Sequence, residues 1–270
     1  MEYLRTGPSV LYSRDQKEII VKLLTVAREF LMKTIPHMHD FTSGLPDPVR
    51  AEVESRCRQR RVRAGESVYI QGDLATEMYQ LITGSVKLCN YSFDGREFLG
   101  LEFRAGDCFG EMGLIDGLAR VSHAVATTDC LLKVLAKQDF EHFLLVYPEF
   151  AQQVMLMLCH RARYAYGMLA EAGGLNLRQR LALQLFRLGH SHGCRDGTGD
   201  LYISMSQEEL GRMVGASRQT INKCLQELVK EGCIELRYGK IYLVDIEGMQ
   251  ERYEHLMGLE QIAASYETGA

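Results

Sequence analysis

The sequence predicts an α+β chain with three parts: an antiparallel β-roll of the jelly-roll type, a long dimerisation helix, and a C-terminal winged helix-turn-helix. Three observations predict it. Short strand-like runs alternate with glycine turns between about Pro46 and Asp139. A strict heptad of apolar residues runs from Pro148 to about Leu175. The stretch Ser206–Glu231 reads as two helices joined by a tight turn.

The β part comes first. Glu66–Ile70, Met78–Ile82, Ser85–Leu88 and Phe98–Leu101 are strand-like, and Gln71-Gly72-Asp73, Gly84, Asp94-Gly95 and Ala105-Gly106-Asp107 supply the turns. Strands at this spacing, with glycines for positive φ, build an antiparallel barrel or jelly roll. No GxGxxG follows a strand, which excludes a dinucleotide-binding sheet. One loop here carries chemistry, Phe109 to Ala124. Gly110 and Gly113 allow close backbone approach, and free N–H groups beside Met112 can form an anion nest. Arg120 offers a fork to phosphate oxygens, with Val121 and Ser122 beside it. Glu111 can accept from a sugar hydroxyl. The alternative is an ion pair between Glu111 and Arg120 across the loop.

The long helix follows. Ala151, Met155, Leu158, Ala162, Ala165, Leu169 and Ala172 are separated by 4, 3, 4, 3, 4 and 3 residues. That seam predicts a parallel homodimer, and its alanines permit close helix approach. Packing of the stripe on its own β domain is the alternative. Gly173-Gly174 ends the seam as a hinge, and Arg178–His190 opens the last part.

In that part Ser206 and Glu209 have capping-box spacing. Leu210, Met213 and Val214 make an apolar face, Gly215-Ala216 breaks the helix, and Ser217 caps the next one. Ile221, Leu225 and Leu228 lie on one side of that second helix, while Arg218, Gln219, Asn222 and Lys223 point outward from its start. Such side chains read bases by bidentate contacts in a major groove, with Ser206, Ser217 and Thr220 near the DNA backbone. Cys233–Arg237 and Lys240–Val244, joined by Tyr238-Gly239, form a wing, and Leu201–Ile203 adds a third strand. From Arg178 to Lys240 there are ten Lys/Arg against seven Asp/Glu, in a chain of net charge −4. The basic surplus is local, so one face meets DNA.

At 270 residues the chain holds two modest domains, and 46% hydrophobic with 24% charged residues is ordinary for a globular protein. No apolar run reaches membrane-span length, and MEYLRTGPSV lacks the form of a signal peptide. The eight cysteines are scattered without a CxxC pair, as expected of reduced thiols in a cytoplasm. No nucleophile, base and orienting group come together, so an enzyme is not expected.

With these residues in view, the chain resembles the cAMP receptor protein family, the Crp/Fnr superfamily of bacterial transcription regulators, over roughly residues 41–245. Gly110-Glu111 and Arg120 are similar to the family's phosphate-binding cassette. The resemblance implies that Glu111 holds a ribose hydroxyl and Arg120 a cyclic phosphate. Gly215 to Thr220 is similar to the family's turn and recognition-helix start. The implied effector is a cyclic nucleotide, cAMP or cGMP; the implied partners are double-stranded DNA with a palindromic operator, a second copy of the chain, and RNA polymerase. Departures are visible. Val121 replaces a serine after the arginine, removing a hydroxyl. The pair that reads adenine falls on Ala165 and Tyr166, of which Tyr166 can stack on a base. Gln219 replaces a common glutamate, so the operator should favour adenine there. Effector-independent action in the same fold, sensing of haem, redox or another nucleotide, and a winged helix that docks protein instead of DNA are the rivals.

The expected domains are a helical extension at 1–40, the β-roll at 41–147, the dimer helix and hinge at 148–176, the winged helix at 177–245, and a helical tail at 246–270. In the extension, Ser13 and Gln16 cap a helix whose apolar face runs from Ile20 to Leu31. His37-Met38-His39 and Cys159-His160 invite a haem or metal reading, but a surface loop explains the first better, the second earns the same caution, and no metal site is expected. In the tail, Met249, Tyr253, Leu256 and Leu259 recur at helical spacing, for packing on the DNA-binding part or the partner.

Overall fold

The computed structural model describes residues 33–91, 97–253 and 262–265; the expected helix of the extension, the Asp94-Gly95 turn, Leu256 and Leu259 lie outside them. In chain order the elements are β1 (Lys33–Pro36), α1 (Asp47–Arg56), β2 (Arg58–Val62), β3 (Ser67–Tyr69), β4 (Glu77–Thr83), β5 (Val86–Tyr91), β6 (Glu97–Phe103) and β7 (Cys108–Phe109). They continue as α2 (Met112–Asp116), β8 (His123–Ala126), β9 (Cys130–Ala136), α3 (Lys137–Val146), α4 (Pro148–Gly174) and α5 (Leu177–His192). The last are β10 (Cys194–Arg195), β11 (Leu201–Ile203), α6 (Gln207–Val214), α7 (Arg218–Lys230), β12 (Ile234–Arg237), β13 (Lys240–Leu243), α8 (Ile246–Tyr253) and β14 (Ile262–Ser265).

Two four-stranded antiparallel sheets, ordered β2-β9-β4-β7 and β3-β8-β5-β6, make the β-roll. Alternation decides which side chains meet between them. Tyr79 and Leu81 of β4, Val86 of β5, Leu132 and Val134 of β9, and the rings of Phe103 and Phe109 fill the interior. Phe103 and Phe109 stack with centroids 5.3 Å apart, giving the recess described below a stiff aromatic floor.

A second core lies under the helices, where Phe150 packs edge-on against Phe41 and Phe140, and Val154 and Met157 extend the contact. Burial of each such side chain stabilises the fold by roughly 1.5–3 kcal/mol. Pro148 sits in the first turn of α4, where its missing N–H costs nothing. The inward stripe of α4 is therefore Phe150, Val154, Met157, then Arg161, Tyr164 and Glu171. The predicted seam is a different stripe, one residue along. Met155, Ala162, Ala165, Leu169 and Ala172 are exposed on it, and Ala151 and Leu158 are half-buried. Of the seam, Leu158 packs against the second core, and the exposed residues face away from it.

The third core joins α5, α6, α7, the β10-β11-β13-β12 sheet and α8, with Leu181, Leu185, Leu210, Ile221, Leu225 and Leu228 at its centre. Met249 and Tyr253 of the tail enter it, as expected. Two expectations are corrected at the ends of the chain. Residues 33–36 and 262–265 are strands, not helix, and they pair in parallel, Lys33 opposite Ile262 through Pro36 opposite Ser265. Thr34 is β-branched, and Ile35 is held extended by Pro36, which predisposes β1 to a strand. β14 also lies against α4 and α5.

Candidate functional site

Two regions collect the predicted site residues: a recess in the β-roll and the exposed face of α7.

The recess, an open space of about 420 Å³ including its mouth, is lined by Tyr69, Phe103, Gly110, Glu111, Met112, Gly113, Arg120, Val121, Ser122 and Arg161 among others. β7 and the short α2 position Glu111, which is 1% exposed, and the strand-ward end of the same loop positions Arg120, 6% exposed. Gly110 takes φ +88°, where a side chain would be strained and would crowd Arg120. Its carbonyl accepts from Arg120, whose other terminal nitrogen donates to the Glu77 carbonyl. The guanidinium lies 4.3 Å over the Tyr69 ring, a cation–π contact in a dry setting. Burial pushes the Tyr69 phenol up to about 12, so it stays neutral beside the cation.

Glu111 and Arg120 do not pair with each other. Glu111 Oε1 accepts from Arg161 of α4 at 2.6 Å. Arg161 also donates to the Cys108 carbonyl and, through Nε, to His39 Nδ1 at 3.2 Å. What remains are three buried polar atoms of the recess without a partner: Glu111 Oε2, an acceptor, Arg120 Nε, a donor, and the Ser122 hydroxyl. An unpartnered buried polar atom costs roughly 1–3 kcal/mol, which a ligand carrying a hydroxyl and an anionic oxygen would offset. Ser122, one residue after Val121, brings a buried hydroxyl to the same recess. Gly113 lines the recess and also serves packing, because a Cβ there would meet Ala75 and the Leu118 carbonyl, each at 2.6 Å.

Tyr166 does not line the recess; it stands 70% exposed on the outside of α4. Arg161, which the sequence reading missed, is the residue that α4 sends in. A signal for it existed: Met157, Arg161 and Tyr164 continue the 4-3 spacing of the inward stripe, so a charged side chain occupies a core position. His39 is buried and His37 exposed, and among the described residues no group of three His, Cys, Asp or Glu could hold a metal ion. The histidine pair therefore does not converge. Among the described residues no helix is long and apolar enough to cross a membrane.

At the second region Ser206 caps α6 with a complete capping box to Glu209, and Ser217 caps α7 by accepting from the Thr220 N–H. Gly215, at φ +71°, makes the left-handed turn between them. Both serine hydroxyls are engaged in caps, and the Ser217 hydroxyl also meets that of Thr220 at 2.8 Å. Arg218, Gln219, Thr220, Asn222 and Lys223 are all exposed on one side of α7, while Ile221, Leu225 and Leu228 are buried on the other. Asn222 accepts from Gln207 of α6 at 3.3 Å, which orients its amide. In the wing, Lys240 lies over the Tyr202 ring and Arg237 over Tyr242, leaving Tyr238 wholly exposed at the tip. A major groove admits such a helix with its N-terminal side chains on base edges.

Comparison with known proteins agrees with this division. Residues 59–147 match the cyclic nucleotide-binding domain family, and residues 179–252 the Crp-like helix-turn-helix domain. The chain is 30% identical over 190 residues to a CRP-like cAMP-activated global transcriptional regulator of Mycobacterium tuberculosis, covering 70% of this chain and 84% of that one. It is 30% identical over 194 residues to the cyclic AMP receptor protein of Thermus thermophilus, covering 72% and 87%. A solved CRP-family transcriptional regulator, also from Thermus thermophilus, superposes with a TM-score of 0.60 at 28% identity, covering 72% of this chain and 96% of that one.

Proposed function

Because the chain belongs to the Crp/Fnr superfamily of transcription regulators, we propose that it works as a homodimer whose affinity for a palindromic operator is set by a cyclic nucleotide in the β-roll recess. The observation that carries this reading is the pair of unpartnered buried atoms, Glu111 Oε2 and Arg120 Nε, in one recess. Glu111 accepts from the ribose hydroxyl, and Arg120 with Ser122 holds the cyclic phosphate. Arg161 reaches the same recess from α4, so ligand at Glu111 is felt directly by the helix that carries the seam.

The exposed seam, Met155 to Ala172, supports pairing of two α4 helices in parallel, which leaves two α7 helices to read two half-sites. Arg218, Gln219, Asn222 and Lys223 face bases or phosphates. Ligand controls transcription by shifting the populations of DNA-competent and incompetent arrangements, and RNA polymerase in the cytoplasm is the expected downstream partner. The test is calorimetric titration of the purified protein with cAMP and with cGMP, with Glu111→Ala as control. Saturable binding that the control loses supports the reading, and silence with both nucleotides refutes it.

A further inference from the structure

The segment between β1 and α1 precedes the matched cyclic nucleotide-binding domain, yet it sends one side chain onto Arg161, which lines the recess. His39 is 3% exposed. Its backbone carbonyl accepts from the Cys108 N–H at 2.8 Å, anchoring it on β7 beside the floor of the recess. Its ring meets Phe103 edge-on, with centroids 5.2 Å apart, and Nδ1 accepts from Arg161 Nε. Phe103 also faces the Arg161 guanidinium, at 5.4 Å from the ring centroid. As an acceptor, Nδ1 is unprotonated, and burial together with Arg161 and His160 holds the imidazole well below the ordinary histidine range.

Arg161 thus has three acceptors on three sides: His39 at Nε, and Glu111 Oε1 and the Cys108 carbonyl at its two terminal nitrogens. A guanidinium is a rigid plane, so fixing Nε fixes the direction of both terminal nitrogens. Without His39 the side chain keeps a buried donor unpaired, and only the terminal nitrogens, on Glu111 and the Cys108 carbonyl, hold its plane, which can tilt about that edge. Glu111 would then rotate with it, because Arg161 holds one of its oxygens and leaves the other open to the recess.

We infer that His39 is a positioning residue of the effector site: by accepting Arg161 Nε it fixes which oxygen of Glu111 is offered to the ligand. The inference rests on the reading of the recess as the effector site. Residues 37–40, outside the matched domain, thereby contribute to how tightly that site binds.

The test uses the full chain labelled with ¹⁵N, first without ligand. We expect a resolved Arg161 Nε–H signal, slow to exchange with water, with a coupling across the hydrogen bond to His39 Nδ1. His39→Asn, whose amide oxygen reaches the place of Nδ1, should keep the slow exchange, and His39→Leu should lose it. Titration with cAMP and cGMP then reads the consequence: His39→Asn within about threefold of wild type, and His39→Leu weaker by tenfold or more. Absence of the coupling in wild type overturns the inference without any variant, and so does an Arg161 signal or an affinity that His39→Leu leaves unchanged. If wild type binds neither nucleotide, the effector reading fails by itself, and the Arg161 signal still decides the role of His39.

Discussion

Arg187 grips Glu171 through both of its terminal nitrogens, and both side chains are almost wholly buried, 5% and 3% exposed. Glu171 belongs to the last turns of α4 and Arg187 to α5, so this ion pair closes across the Gly173-Gly174 junction. Tyr164 covers the guanidinium at 5.7 Å from its ring centroid. Burying two charges carries a large desolvation penalty that their attraction roughly offsets, whereas one charge left alone has nothing to offset it. We therefore expect Glu171→Leu or Arg187→Met to destabilise the protein by about 3–5 kcal/mol, and the double replacement to restore most of the loss. Urea unfolding of the three variants checks it; additive losses would show that the two residues act independently.

Arg218 is exposed at the first position of α7. Arg218→Ala should weaken operator binding by about 1–3 kcal/mol and relax the preference at one base pair. Equal loss on operator and random DNA would make it a phosphate contact. Gln219→Glu should move the preferred base pair from adenine toward cytosine, read by competition among single-base operator variants.

On α4, Leu169→Glu places a charge on the seam, and Ala170→Glu places the same charge one residue off it. Both positions are exposed in the single chain, so neither change disturbs the protomer. Sedimentation should show Leu169→Glu shifted toward monomer at micromolar concentration and Ala170→Glu still dimeric. A dimer unaffected by Leu169→Glu would refute the seam.

The sign of the pH dependence follows from His39. Its pKa in the fold lies well below the usual histidine value of 6.5, so the unfolded chain takes up a proton that the fold refuses. The unfolded state binds more protons below about pH 6.5, and stability falls as pH drops through that value and is complete above it. His190, lowered by burial, adds a contribution of the same sign in the same window. Buried His39 contributes at most about 1.4 kcal/mol per pH unit, and exposed His190 contributes less, because solvent screens it. Urea midpoints between pH 7.5 and 5.5 should therefore decline, and less steeply in His39→Asn; an unaltered slope would remove His39 from the account.

The parts that local chemistry specifies were legible in the sequence. The capping box of Ser206 and Glu209, the turn at Gly215 and the apolar face of α7 are written within a few residues of one another, and the helix pair follows. The recess was only half legible: the loop from Gly110 to Ser122 announces itself, but its partner Arg161 arrives from an element that folds back over the roll. The sequence pairs neither Glu111 with Arg161 nor Arg161 with His39, because those contacts depend on tertiary approach. The strand pair β1-β14 was illegible for the same reason, and Ala263 and Ala264 have no strong strand preference of their own.

That strand pair has a consequence for biosynthesis. β1 is the first and β14 the last of the described strands, so β1 has no partner until every other described element has been made. Closing so long a loop costs entropy that grows slowly with length, yet pairing between distant segments is intrinsically slow. The β-roll and the winged helix each complete their own cores from nearer residues and need not wait. The clasp can thus form after both of those cores, and a nascent chain stalled before residue 262 is expected to carry them assembled with β1 unpaired.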